Sequence, residues 1–237
     1  MPSLKDLRFL VLDVETTGLD PQEDRIVQIA LVSVEHGRVT QLGTTLVNPE
    51  RSIPPQASAI HHITNRMTDQ APPWSVLWPH VEQYLFGADV IVAHNAAFDR
   101  SFLPSVDKPW LCTKRLAQHL WPDAPNFQNQ TLRYWLDLEL DAQAHDAGGD
   151  ALVTGHVLTR ELAAYLEQGG ADDIDALLQR TDGPARIEKM PFGEHRGKCM
   201  VDIPTSYLRY MVGHMKNMDA DLRWTMESIL NQTTSAS

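Results

Sequence analysis

The chain has 237 residues, 43% of them hydrophobic and 22% charged, with a formal net charge of −11. That length sets the expectation of one α/β domain with a sizeable core plus a small appendage, and the balanced composition excludes a largely disordered chain. The acidity argues against broad phosphate neutralisation, but a site of clustered carboxylates is acidic by necessity and leaves nucleic acid open as a substrate.

The apolar run Phe9-Leu-Val-Leu12 stops at Asp13. It is too short for a signal-peptide core or a membrane span, so the chain is expected in the cytoplasm with no membrane partner. Cys112 and Cys199 are too few and too far apart for a disulfide framework or a zinc site, and both read as reduced, structural thiols.

Residues 8–14 are apolar and β-branched, as in a buried strand, and a loop rich in Thr, Gly, Asp and Pro follows. Ile26 to Glu35 alternates, turns at His36-Gly37 and resumes from Arg38 to Val47, which is a hairpin signature. Pro54 to Thr64 reads as a short helix and loop, and Trp74 to Phe86 as an amphipathic helix. A fourth strand at Asp89–Ala93 runs into His94-Asn95, where Asn95 is placed to cap a helix with Phe98 and Phe102 on one face. Trp110–Thr113 reads as a fifth short strand, and helices near 114–120, 130–137 and 149–167 follow. Strands first, then strand and helix alternating, imply a mixed sheet covered by helices. Gly169-Gly170, Asp172-Asp173 and Asp182-Gly-Pro184, around a short apolar helix, make 168–185 read as a connector to a separate small α+β unit at 186–237.

Asp13 and Glu15 are two apart on the first strand, so their carboxylates share a face at a strand end, where α/β folds place ligand sites. Taken alone, Asp-x-Glu reads as well as a solvated strand terminus. Asp99 follows another apolar strand and could reach the same sheet edge, or could simply complement its helix dipole. His145 and Asp150 are five apart, and a single helix would separate them by about 140°. Gly148-Gly149 between them favours His145 on a loop and Asp150 on the helix that follows. Thr16, Thr17, Gly18 and Leu19 directly follow the second carboxylate, so their backbone N–H groups and the leucine side chain are placed to hold a terminal nucleotide; a plain glycine-containing turn would look the same.

In this order and context, Asp13, Glu15, Asp99, His145 and Asp150 resemble the DEDDh family of 3′–5′ exonucleases. The likeness extends over Val11-Leu-Asp-Val-Glu-Thr-Thr-Gly18, Ala59-Ile-His-His-Ile-Thr64, Val92-Ala-His-Asn-Ala-Ala-Phe-Asp99 and the His-x4-Asp ending, roughly residues 8–165. It implies a ribonuclease H-like fold over 1–167, with a mixed five-stranded sheet between helices. It assigns Asp13, Glu15, Asp99 and Asp150 as ligands of two metal ions, with Asp13 as the bridge and His145 as the general base. Hard carboxylate donors suit Mg²⁺, with Mn²⁺ able to substitute. His62 and Asn95 resemble residues that line the family's nucleotide pocket. The segment His145-Asp-Ala-Gly-Gly-Asp150 departs from the family in lacking helix-forming residues.

The tail Pro191-Phe-Gly-Glu-His-Arg-Gly-Lys198 and Ile203-Pro-Thr-Ser-Tyr-Leu-Arg209 resembles a C-terminal extension that few members carry. Arg186, Lys189, His195, Arg196 and Lys198 fall within thirteen residues of an acidic chain. They read either as a phosphate-binding patch or as the solvated flank of a hairpin before a helix with Tyr207, Leu208 and Met211 as core. The expected activity is removal of nucleoside 5′-monophosphates from DNA with a free 3′ end, in DNA repair. RNA ends, a polymerase proofreading subunit and a catalytically idle nucleic-acid-binding module are the alternatives, and any polymerase partner or oligomeric state stays open.

Overall fold

The computed structural model describes residues 2–142 and 145–235, with side chains through Gln232. Five strands form one sheet: β1 (Phe9–Thr16), β2 (Ile26–Glu35), β3 (Arg38–Leu46), β4 (Val90–Ala93) and β5 (Trp110–Cys112). Their order is β3-β2-β1-β4-β5, with β1 antiparallel to β2 and parallel to β4 and β4 parallel to β5, so the sheet is mixed as expected. His36 and Gly37 both take positive φ, 50° and 75°, the geometry a two-residue hairpin turn between right-twisted strands requires.

Side chains alternate across β1 into two cores. Leu10, Leu12 and Val14 pack with Ile91 and Leu85 on the side of α3 (Trp74–Gly87) and α4 (Ala97–Phe102). Phe9 and Val11 pack with Leu116, Leu158 and Leu177 of α5 (Thr113–Leu120), α7 (Ala147–Glu167) and α8 (Ile174–Asp182) on the other. Each fully buried aliphatic or aromatic side chain stabilises the fold by about 1.5–3 kcal/mol. Asp13 and Glu15 continue the row of Phe9 and Val11 and therefore face the α7 side. α7 lies close on the sheet because Gly155 has no side chain: a Cβ there would sit 2.9 Å from Val39 Cγ1.

The remaining elements brace the edges. Val27 packs with Ile53, Ala57 and Ile63 around α1 (Pro55–His61), which precedes α2 (Asn65–Thr68). Leu132 of α6 (Asn129–Trp135) packs on Val153 and Val157 of α7.

Four local readings change. Asn95 does not cap α4 with its side chain; it takes φ 74° and offers its carbonyl to the Phe98 N–H at 2.9 Å, while Ala96 holds the cap position. α7 begins two residues early, because the Asp146 carboxylate caps it by accepting the Gly149 N–H at 3.1 Å. The glycines that looked unfavourable for a helix allow this approach, since a Cβ on Gly148 would lie 2.5 Å from Thr44 Oγ1. The segment read as a connector holds α8, whose Leu177 is fully buried in the first core, and Asp172 there accepts hydrogen bonds from Ser3 and Leu4. Cys199, read as structural, is exposed.

Beyond residue 185, a separate core forms from Met190, Met200, Ile203, Leu208, Leu222 and Met226, with α9 (Thr205–His214) packed on α10 (Ala220–Ser235). Among the described residues the β content of this unit is a single bridge, Lys189 with Cys199. Arg115 of α5 pairs with the nearly buried Asp221, which also accepts the Ala185 N–H, and so ties the unit to the first core. Among the described residues no helix is long and apolar enough to cross a membrane.

Candidate active site

Where β1 passes the end of β4, the β4 side of the strand is open, because the parallel pairing extends only from Phe9 to Val11. Asp99, in the first turn of α4, fills that opening and accepts the Val14 N–H on Oδ1 at 3.1 Å. Asp13 and Glu15 lie on the same stretch of β1, and Asp150 arrives from the first turn of α7. Burial first, then the charges of Asp99, Asp150, Glu15 and Asp146, push the Asp13 carboxyl well above the usual carboxylate range. Glu15 is raised to about 7 by burial and by Asp150, Asp146 and Asp99. Burial raises Asp99 to about 7 as well, against the Val14 hydrogen bond, which favours its charged form.

Asp150 is held on both oxygens. Oδ1 accepts from Gln130 Nε2 at 2.7 Å and Oδ2 accepts the His145 N–H at 2.9 Å, so the two residues that a single helix would part do meet, through the backbone of the turn before α7. His145 is exposed and has φ 58°, a left-handed conformation uncommon outside glycine. Asp13, Asp150 and His145 open onto a cavity of about 540 Å³ that Asn95, Lys114 and the amides of Asn129 and Gln130 also line. His94 at its wall is neutral, pushed down to about 4 by burial, and fastens the loop to the sheet with Nδ1 2.8 Å from Thr113 Oγ1 and Nε2 2.9 Å from the Phe127 carbonyl.

The loop after Glu15 differs from the expectation of four free backbone donors. The Thr17 N–H donates to the Arg25 carbonyl at 2.8 Å, its hydroxyl donates to Asp24 Oδ1 at 2.8 Å, and the Thr16 hydroxyl donates to the Gly18 carbonyl at 2.5 Å. Thr16 and Thr17 are buried braces of the turn, and Gly18 leaves room for the Asp24 carboxylate, which a Cβ would meet at 2.3 Å. Leu19, by contrast, is 83% exposed at the tip. Asn95 reaches the cavity, whereas His62 is an exposed left-handed residue at the end of α1, outside the cavity lining. Lys114, Asn129, Gln130, Gln28 and Asp146 escaped the sequence reading; the amide-rich run Asn126-Phe-Gln-Asn-Gln130, without apolar periodicity, was the available signal.

Residues 10–158 match the sequence family described as Exonuclease. The chain belongs to the exonuclease family. This exonuclease is 32% identical over 226 residues to exodeoxyribonuclease 10 of Escherichia coli (strain K12), spanning 94% of this chain and 99% of that protein. It is 33% identical over 174 residues to the DNA polymerase III subunit epsilon of Treponema pallidum (strain Nichols), spanning 68% of this chain and 80% of that protein. Its fold superposes on exonuclease X in complex with 5′ overhanging duplex DNA at a TM-score of 0.62 and 33% identity, over 73% of this chain and 99% of that one. Cell-death related nuclease 4, at 18% identity and a TM-score of 0.55, shares the fold. This exonuclease is thus a 3′–5′ phosphodiester hydrolase of the DEDDh type on a ribonuclease H-like sheet. Among its described residues no three His, Cys, Asp or Glu side chains form a ready metal cage. Asp99 and Asp150 are turned instead toward internal donors.

Proposed function

We propose that this exonuclease removes nucleoside 5′-monophosphates from DNA 3′ ends with divalent cations, in DNA repair in the cytoplasm. The observation that carries the proposal is the convergence of Glu15, Asp99 and Asp150 on Asp13, which with Asp150 and His145 faces one cavity. The donor set fits Mg²⁺, or Mn²⁺ in its place, because it is all hard oxygen and because its mutual repulsion is what a cation would relieve. Two bound ions would supply activation of the attacking water and neutralisation of charge on the transferring phosphoryl group. Asp13, Glu15, Asp99 and Asp150 would hold them, with Asp13 at the centre of the group because each of the other three carboxylates acts on it.

His145 accepts the proton of the attacking water on an imidazole nitrogen, the general-base role that histidine fills most often. Its exposure at the cavity mouth leaves the ring free to reach a substrate. Leu19, exposed beside the carboxylates, and Asn95, in the lining, hold the terminal nucleotide, with Lys114 near enough to engage a phosphate. Residues 1–167 with α8 form the catalytic body, and 186–237 grip nucleic acid away from the scissile bond. DNA is favoured because exodeoxyribonuclease 10 matches over nearly its whole length and the exonuclease X structure holds DNA.

The test is parallel digestion of 5′-labelled DNA and RNA oligomers of one sequence. Faster shortening of DNA from its 3′ end is expected; shortening of RNA alone would move the substrate to RNA ends.

A further inference from the structure

We propose that Gln28 is a positioning residue that, through Asp146, sets both the turn carrying His145 and the first turn of α7 carrying Asp150. The inference rests on the roles proposed above for His145 and Asp150. Gln28 stands on β2 directly opposite Glu15 and is 7% exposed. Paired residues of an antiparallel ladder share a face, so its side chain points to the α7 side. Nε2 donates to Asp146 Oδ1 at 2.9 Å, and Oε1 accepts the Ala147 N–H at 3.0 Å. Asp146 Oδ2 in turn accepts the Gly149 N–H at 3.1 Å. Two hydrogen bonds therefore link β2, the strand paired with that of the carboxylates, to the start of the helix, and the third closes the cap within it.

The clamp has one workable polarity. Ala147 is fully buried and its N–H can only donate, so the Gln28 oxygen must face it and the Gln28 nitrogen must face Asp146. An apolar residue at 28 would strand a buried donor. A glutamate would set a carboxylate against Asp146. Between the clamp and Asp150 lies His145, whose left-handed backbone persists only where its surroundings fix it. Its own N–H is bound to Asp150, and its C-terminal neighbour is Asp146. Loosening the clamp therefore moves the proposed base and the proposed ligand together. Neither Gln28 nor Asp146 lines the cavity, so both act through their neighbours.

The test measures kcat and KM on 5′-labelled DNA in excess Mg²⁺ for wild type, Gln28→Ala, Gln28→Glu, Asp146→Asn, the double variant Gln28→Glu/Asp146→Asn and His145→Ala, with melting curves for each. In the double variant the new asparagine accepts the Gly149 N–H and donates to the new glutamate, whose other oxygen accepts the Ala147 N–H. All three bonds reform with one donor reversed and the net charge unchanged. Each single change at 28 or 146 is expected to lower kcat about ten- to a hundred-fold, with KM for DNA within about two-fold. The double variant should recover to within about three-fold of wild type. Single variants with wild-type kcat, a double variant no better than the worse single, or a lowered melting temperature with kcat untouched would each overturn the proposal. Wild-type turnover in His145→Ala would instead sink the parent assignment of the base.

Discussion

Two turns of the same helix present acids in opposite circumstances. Asp150 and Glu161 are eleven residues apart on α7, nearly in line along one side and about 16 Å from each other. Around Asp150, the carboxyls of Asp13 and Glu15 are raised by burial and by neighbouring carboxylates and that of Asp99 by burial, and Asp13 and Asp150 open onto a cavity. Glu161 is also raised well above the usual range, by burial first and then by Cys112, yet it is fully buried, and neither oxygen has a hydrogen-bond partner of good geometry; the Ala117 backbone is the one group that favours its charged form. Raised carboxyls are found at both places, on Asp13, Glu15 and Asp99 beside the first turn and on Glu161 itself at the second. Like charges converging at a solvent-reachable cavity occur only at the first, and that convergence is what marks chemistry rather than a core defect.

The largest expected contrast is in activity. Asp13→Asn should lower turnover about 10³-fold or more, because cation stabilisation of the transition state amounts to several kcal/mol. In EDTA at pH 8 the same change should raise the melting temperature, since it relieves repulsion among buried carboxylates. Glu161→Gln should leave turnover unchanged. Next in size, His145→Ala should lower kcat about 10²–10⁴-fold, with the Mg²⁺ concentration for half-maximal activity near normal; an unchanged kcat would remove His145 from the chemistry.

Stability against pH separates the two turns again. A carboxyl raised in the folded state favours folding at low pH, and that contribution is lost as pH climbs from the ordinary carboxylate range through the folded value. For Glu15 and Asp99 the loss runs up to about pH 7. Melting temperature in EDTA should therefore fall across that window, and Mg²⁺ should cancel the part due to the site. The part due to Glu161 should ignore Mg²⁺ and vanish in Glu161→Gln, which should match wild type near pH 4 and exceed it at pH 8. A variant no more stable than wild type at pH 8 would mean that Glu161 is accommodated as a charge.

The smallest effect belongs to the C-terminal unit. Removing 186–237 outright would strand Arg115 without Asp221, so point changes are cleaner. Arg196→Ala and Lys198→Ala should each weaken DNA binding and reduce its salt slope by about one, with kcat preserved. An unaltered slope would make the basic cluster a solvated flank.

Much of this was readable in the sequence because it repeats or sits close together. Short apolar runs and one alternating hairpin located all five strands, and the carboxylates of β1, α4 and α7 each sit near the start or end of an element that patterning could find. What escaped depends on contacts with no period. Gln28 and Asp146 meet across 118 residues of chain, and nothing local in an apolar strand says that its one amide faces a helix terminus. The Thr17 donors looked free until Arg25 and Asp24 folded back on them. α8 looked like linker because its flanks are rich in Gly and Asp, while Leu177, the residue that anchors it, is a single buried side chain.

A time course of 5′-labelled DNA digestion, in Mg²⁺ and in EDTA, with wild type beside Asp13→Asn, tests the converging carboxylates most directly. A ladder shortening from the 3′ end that needs both the cation and Asp13 is the expected result. Shortening that persists in EDTA, or at the wild-type rate in Asp13→Asn, would show that the converging carboxylates are not the catalytic centre.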